Sequence, residues 1–118
     1  NKGSGIDVVG GSGNIIGTDL DGTGDSTEGN LISGNSGAGI EFQNAITTAN
    51  FIRGNKIGVN ADASSALANG SAGIKIDAES SNNIVGGTTS ESINIISGNT
   101  SGAGIELVNT TGNTVQGN

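Results

Sequence analysis

The sequence predicts an all-β chain wound as a right-handed, single-stranded parallel β-helix, a solenoid of about three and a half coils of 31–34 residues. Three observations carry the prediction. A four-residue phrase returns four times: Gly5-Ile6-Asp7-Val8, Gly39-Ile40-Glu41-Phe42, Gly73-Ile74-Lys75-Ile76 and Gly104-Ile105-Glu106-Leu107. Its starts, at positions 5, 39, 73 and 104, lie 34, 34 and 31 residues apart, and a fixed period in this range means stacked supersecondary units. Within each phrase apolar and polar residues alternate, so that one side chain points inward and the next outward, as on a half-buried strand. Between successive phrases lie two more short apolar runs, each opened by an asparagine. Three short strands per turn at this period describe the coil, and 1–118 reads as one β-helix segment with coils beginning near 5, 39, 73 and 104.

The Gly-Ile strand comes first in each coil. Ile6, Ile40, Ile74 and Ile105 form one inward column, and Val8, Phe42, Ile76 and Leu107 its neighbour. β-Branched side chains suit such columns because their stiff rotamers pack well on a pleated surface. Glycine before the strand is expected to let the chain turn tightly into it.

The first Asn strand follows as Asn14-Ile15-Ile16, Asn50-Phe51-Ile52, Asn83-Ile84-Val85 and Asn113-Thr114-Val115. It adds a column of Ile15 or Ile16, Ile52, Ile84 or Val85, and Val115. The second Asn strand follows as Asn30-Leu31-Ile32, Asn55-Lys56-Ile57 and Asn94-Ile95-Ile96, with Asn118 in the matching place. An Asn at the head of each strand tolerates left-handed backbone angles and bonds the turn with its amide. Stacked on its copy one coil away, it also forms an amide ladder. All strands are expected to be short, with Gly, Ser, Asn and Thr filling the turns.

Loops break the period at fixed corners. Residues 17–29 and 86–92 separate the first and second Asn strands of alternate coils, whereas the same corner is tight between Asn50 and Asn55 and between Asn113 and Asn118. A third excursion runs over 59–72. Long and short forms alternate, which implies a two-coil unit.

Composition fits a stacked core rather than a globular one. Among 118 residues there are 23 Gly and 2 Phe, with no Pro, Trp, Tyr, Met, Cys or His. Gly and Ser in this amount also suit disorder, but disordered segments do not place Ile in register. The net charge of −7 disfavours nucleic acid and anionic membrane, either of which needs a basic surface to displace counterions. No apolar run reaches the length of a membrane span. Both ends fall within repeat phrases, so the chain reads as part of a longer array or polymer. Without His or Cys the usual nucleophilic triads cannot be built. Paired carboxylates for sugar hydrolysis are nominally present among Asp19, Asp21, Asp25, Asp77 and Glu79, yet aromatic platforms are missing. No enzymatic activity is expected, and no cofactor is required.

Ile16-Gly17-Thr18-Asp19…Gly22-Thr23, Ile32-Ser33-Gly34-Asn35…Gly39-Ile40, Asn83-Ile84-Val85-Gly86-Gly87-Thr88-Thr89 and Val115-Gln116-Gly117-Asn118 resemble the repeats of large bacterial surface and secreted β-helix proteins. They are similar to the broad right-handed class that holds pectate-lyase-like and adhesin-like chains. The resemblance spans nearly the whole chain. It implies an extracellular or cell-surface setting and a structural or adhesive role in a stalk, fibre or matrix. End-to-end stacking, with copies or with neighbouring repeats, is the expected association, and surface glycans are candidate partners. The alternative is a carbohydrate-binding or sugar-processing β-helix whose active residues lie outside this segment.

Specific chemistry is expected where the period breaks. The loop Asp19-Leu20-Asp21-Gly22-Thr23-Gly24-Asp25-Ser26-Thr27-Glu28 spaces its oxygens like the first half of a calcium loop, with Gly24 at the sharp turn. Hard cations take several converging oxygens at about 2.3–2.6 Å, so Asp19, Asp21, Thr23, Asp25 and Glu28 are the candidate calcium ligands. The likeness ends at Asn30, where such a loop carries a bidentate Glu. Outside the loop, the outward column Asp7, Glu41, Lys75, Glu106 stacks like charges, which destabilise when directly opposite. Lys75 is expected to relieve Glu41 and Glu106, leaving Asp7 beside Glu41 without a cation.

Overall fold

The computed structural model describes residues 1–118 and contains eleven strands. The first coil holds β1 (Ile6–Ser12), β2 (Ile15–Gly17) and β3 (Leu31–Ile32); the second holds β4 (Ile40–Thr48), β5 (Phe51–Arg53) and β6 (Lys56–Ile57). The third holds β7 (Ile74–Ile76), β8 (Ile84–Gly86) and β9 (Ile95–Ile96), and a fourth begins with β10 (Ile105–Leu107) and β11 (Thr114–Gln116). Equivalent strands pair in parallel along the stack. They form three sheets, in the orders β1-β4-β7-β10, β2-β5-β8-β11 and β3-β6-β9. The architecture is a parallel β-solenoid, and no helix is long and apolar enough to cross a membrane.

Register follows the hydrophobic pattern, because a one-residue slip would turn every inward side chain to solvent. Ile6, Ile40, Ile74 and Ile105 pair successively, as do Val8, Phe42, Ile76 and Leu107. In the second sheet the inward column is Ile16, Ile52, Val85 and Val115, which leaves Ile15, Phe51 and Ile84 on the outer face. Ile32, Ile57 and Ile96 supply the third sheet's inward column. These columns meet in one core, where Ile40, Phe42, Ile52, Ile57, Ile74, Ile76 and Val85 are fully buried.

Not every strand is short. β1 has seven residues and β4 nine, with a register shift between the Val9↔Gln43 and Gly11↔Thr47 pairs. The second coil carries the extra residues there as a bulge, with Asn44 at φ 85° and Ile46 largely exposed. A bulge of this kind bends the strand and disrupts the ladder locally.

Asparagine fixes the corners, and it does so in three ladders. In the first, Asn14, Asn50, Asn83 and Asn113 connect through Nδ2–H···Oδ1 bonds of 2.8, 2.9 and 3.0 Å. In the second, Asn30, Asn55, Asn94 and Asn118 connect at 3.0, 3.0 and 2.7 Å. A third, which the sequence reading missed, joins Asn1, Asn35, Asn69 and Asn99 at 3.1, 2.9 and 3.1 Å. The amides also bond backbone carbonyls of the preceding coil: Asn50 to Gly11, Asn83 to Thr47, Asn55 to Ile16 and Asn94 to Ile52. Asn50, Asn55, Asn69, Asn83 and Asn94 are buried to within 1%. Buried polar groups are tolerated only when bonded, and these are.

The third ladder changes the account of the glycine before each Gly-Ile strand. Gly5, Gly39 and Gly73 have no left-handed backbone to accommodate. Instead, a Cβ on Gly39 would lie 2.6 Å from Gly73 O, 2.7 Å from Ile57 Cγ2 and 3.0 Å from Asn69 Nδ2, and Gly5 and Gly73 are hemmed in the same way. Glycine stands there to admit the next coil's backbone and the Asn ladder, not to make a tight turn.

Candidate functional site

Two long loops project from one corner of the solenoid, on the first and third coils. The first leaves β2 at Gly17, turns through a short 3-10 segment at Asp25–Thr27 and returns at Asn30; the second makes a similar turn at Ser90–Ser92. Between them the second coil passes tightly through Gly54, and a polar notch is lined by Asp25, Ser26, Gly54, Ser90, Glu91 and Ile93.

The first loop gathers the acidic residues. Single carboxylate oxygens of Asp19, Asp21, Asp25 and Glu28 all lie within 4.8 Å of one another. A calcium ion about 2.3–2.6 Å from each donor would separate opposed ligands by up to about 5 Å, so the spacing suits that ion. The backbone organises the group. Asp21 N–H donates to Asp19 Oδ1 at 3.0 Å, Thr23 N–H to Asp21 Oδ1 at 2.7 Å, Gly22 N–H to Asp25 Oδ2 at 3.1 Å and Asp19 N–H to Glu28 Oε2 at 3.3 Å. The buried Thr18 hydroxyl donates to Asp25 Oδ1 at 3.3 Å. Thr23 lies in the same loop, and Glu28, two residues ahead of Asn30, is one of the four converging carboxylates.

The related excursion at 60–65 closes on itself. Asn60, Asp62, Ser64 and Ser65 bond one another, and the Ser64 hydroxyl, 2.6 Å from Asp62 Oδ1, holds that carboxyl below its ordinary range. In the second loop the Ser90 hydroxyl does the same for Glu91.

The outward charged column is in register, Asp7↔Glu41↔Lys75↔Glu106. Lys75 bonds Glu41 at 3.2 Å as expected, but its closer partner is Asp77 at 2.6 Å, on its own strand's end, rather than Glu106. Together, Asp77 first and Glu41 second, they raise the lysine's pKa above its ordinary 10.5. Asp7 is not left bare: Gln43 Nε2 donates to it at 3.0 Å, and the Ser4 hydroxyl donates to Glu41 at 2.7 Å. Amide and hydroxyl donors serve the side of this pair that Lys75 does not reach. On the outer face of β5, Arg53 lies 4.2 Å over the Phe51 ring, so the half-exposed aromatic is already covered by a cation.

The two ends of the stack differ chemically. In every ladder the amide donates toward the C-terminal coil, and at Asn14, Asn50, Asn83, Asn30 and Asn55 the backbone N–H donates to the same oxygen. Asn14 and Asn30 therefore begin their ladders with an Oδ1 that receives no hydrogen bond. At the other end, the Asn113 and Asn118 backbone N–H groups have no acceptor, and the Asn99 Nδ2 is buried without a partner. Val115 and Leu107 are about half exposed there, although their columns are buried in the middle of the stack. No family model, curated protein or solved structure matches the chain.

Proposed function

We propose that the chain is a structural segment of an extracellular or cell-surface β-helix of the bacterial adhesin-like kind, serving in a stalk, fibre or matrix through end-to-end stacking of coils. The observation that carries this reading is the regularity of the stack: three in-register parallel sheets and three Asn ladders repeat from coil to coil. In such a stack each coil contacts only its neighbours, so it lengthens by adding like units. The reading gives the segment no catalytic role, in keeping with a chain that lacks His and Cys. Sedimentation velocity over a range of concentrations tests it. Species growing beyond the 11.4 kDa chain are expected, and a monomer at every concentration would count against it.

A second reading, calcium binding by the first loop, is favoured by the convergence of Asp19, Asp21, Asp25 and Glu28. Calorimetry of the parent chain and of Asp19→Ala/Asp21→Ala tests it: heat of binding is expected only in the parent, and none in either disposes of the reading. The alternative of a sugar-binding or sugar-processing β-helix places its active residues outside this segment, and aromatic or basic clusters in adjoining repeats would favour it.

A further inference from the structure

Every asparagine side chain but one is engaged by the fold. Those of the three ladders bond one another, and Asn44, Asn60 and Asn82 bond within their own turns. Asn109 is the exception. Its backbone carbonyl accepts from Glu79 N–H at 3.0 Å, while the residue is exposed and its side chain is unbonded. Asn109 also opens the triplet Asn109-Thr110-Thr111, an Asn-x-Thr pattern of the kind that N-linked glycan transfer reads on a surface loop. Two other triplets fit the pattern, Asn69-Gly70-Ser71 and Asn99-Thr100-Ser101. The fold withdraws both. Asn69 is fully buried, its Nδ2 donating to Ile32 O and Asn99 Oδ1, and the Asn99 Nδ2 is itself buried. Neither nitrogen can be reached without opening a ladder rung.

The turn between β10 and β11 presents Asn109 the opposite way. Its φ of 56° is left-handed, which asparagine tolerates. Glu79, the residue bonded to it one coil back, has φ 65° and is exposed as well, although coils flank it on both sides. The outward aim therefore belongs to this corner of the solenoid and not to the coil's place in the stack. Thr111, which supplies the triplet's hydroxyl, is exposed and its Oγ1 is unbonded, whereas Thr110 between them is held by Asn113 Nδ2. An open notch of about 370 Å³ beside them is lined by Ala45, Glu79, Asn109, Thr110 and Thr111. Both groups that a transferase must reach are free on one exposed turn.

We propose that Asn109 is a glycan-acceptor site, modified by a transferase that uses an activated sugar diphosphate as donor. Nδ2 forms a bond to the anomeric carbon of the first sugar, and the bond from that carbon to the diphosphate oxygen breaks. The diphosphate leaves with the bonding electrons, and the amide gives up one proton to the transferase's base. The product is a neutral secondary amide carrying a bulky polar chain on the outside of the corner. This corner lies between the first and second sheets, whereas the acidic loop projects between the second and third. The inference rests on the extracellular reading, since such triplets are used on secreted chains, and the test separates the two.

The folded 118-residue chain is incubated with an oligosaccharyltransferase that reads Asn-x-Ser/Thr and with a polyprenyl-diphosphate oligosaccharide. Intact mass and peptide mapping read the product. One glycan at Asn109 is expected, with Asn69 and Asn99 modified at least tenfold less. Thr111→Ala removes the hydroxyl and keeps the acceptor, so it should lower transfer at least tenfold. Thr111→Ser should retain transfer, and the circular-dichroism melting curves of both variants should match the parent's. Asp62→Asn creates a triplet with Ser64 on the exposed 60–65 turn and serves as the positive control. Transfer to residue 62 with none to Asn109, preferred transfer to Asn69 or Asn99, or undiminished transfer in Thr111→Ala overturns the proposal. Protein recovered unmodified from inside its source cell, yet fully competent as an acceptor in vitro, overturns the extracellular reading and leaves the acceptor site standing.

Discussion

Replacing Asn83 with alanine isolates the contribution of a central ladder rung. The Asn83 Oδ1 accepts from the Asn50 backbone N–H at 3.0 Å and from Asn50 Nδ2 at 2.9 Å, and its own Nδ2 donates to Asn113 Oδ1 and Thr47 O. Thr47 O keeps the Ser81 N–H, and Asn113 Oδ1 keeps the residue 83 backbone N–H. What alanine leaves unpaired is the backbone N–H and one amide proton of Asn50, which is fully buried. Each orphaned donor costs about 1–3 kcal/mol; with partial access of water to the vacated space, the expected loss is about 3–4 kcal/mol. Asn14→Ala removes only one amide bond at the stack's end and orphans no buried donor, so it should cost about 0.5–1.5 kcal/mol. With no Trp or Tyr in the chain, urea unfolding is followed by far-ultraviolet circular dichroism, at concentrations low enough to keep the chain monomeric. At a slope of about 2 kcal/mol/M, the midpoint should fall by about 1.5–2 M for Asn83→Ala and by less than about 0.8 M for Asn14→Ala. Equal shifts, or a loss below about 1 kcal/mol at Asn83, would refute the claim that buried rungs hold the corners together.

Two further outcomes follow from the same structure. Gly39→Ala places a methyl group against Gly73 O and Ile57 Cγ2 and should cost about 1–3 kcal/mol by overpacking, whereas Gly3→Ala, with nothing within 4 Å, should stay within about 0.5 kcal/mol in chemical denaturation. Lys75 has a raised folded-state pKa, so its stabilisation is fully present below the ordinary lysine value and lost as pH rises through the folded one. Thermal unfolding of the parent should therefore weaken above about pH 10.4 more steeply than that of Lys75→Met, and parallel curves would contradict the pairing with Asp77 and Glu41.

The fold was legible in the sequence wherever residue type and period coincided. Ile6, Ile40, Ile74 and Ile105 announce their column because each follows Gly at a near-constant interval, and two Asn ladders are visible because each Asn opens an apolar strand. The third ladder escaped for a physical reason: Asn35 and Asn99 follow Ser-Gly after a strand, and Asn1 and Asn69 lack even that context. The Ile-Ser-Gly-Asn phrase shared by 32–35 and 96–99 was the available signal. Adjacent apolar pairs were ambiguous, since either Ile15 or Ile16 satisfies a pattern of two; the backbone decides for Ile16. The β4 bulge has no sequence period, and the Lys75–Asp77 pair joins positions two apart that alternation sets on one face, where the sequence reading looked only across coils to Glu41 and Glu106. In the acidic loop, sequence spacing pointed to Asp19, Asp21, Thr23, Asp25 and Glu28, and the four carboxylates among them converge; that the Thr23 backbone N–H also donates to Asp21 is a detail a ligand pattern does not carry.

The most direct test of a coil stack that continues from copy to copy is diffraction from oriented assemblies of the 118-residue chain. Coils perpendicular to the long axis predict a meridional reflection near 4.8 Å, with a longer axial repeat near 19 Å from about four layers per copy. Assemblies lacking the axial 4.8 Å spacing, or showing it without the four-layer repeat, would contradict the account.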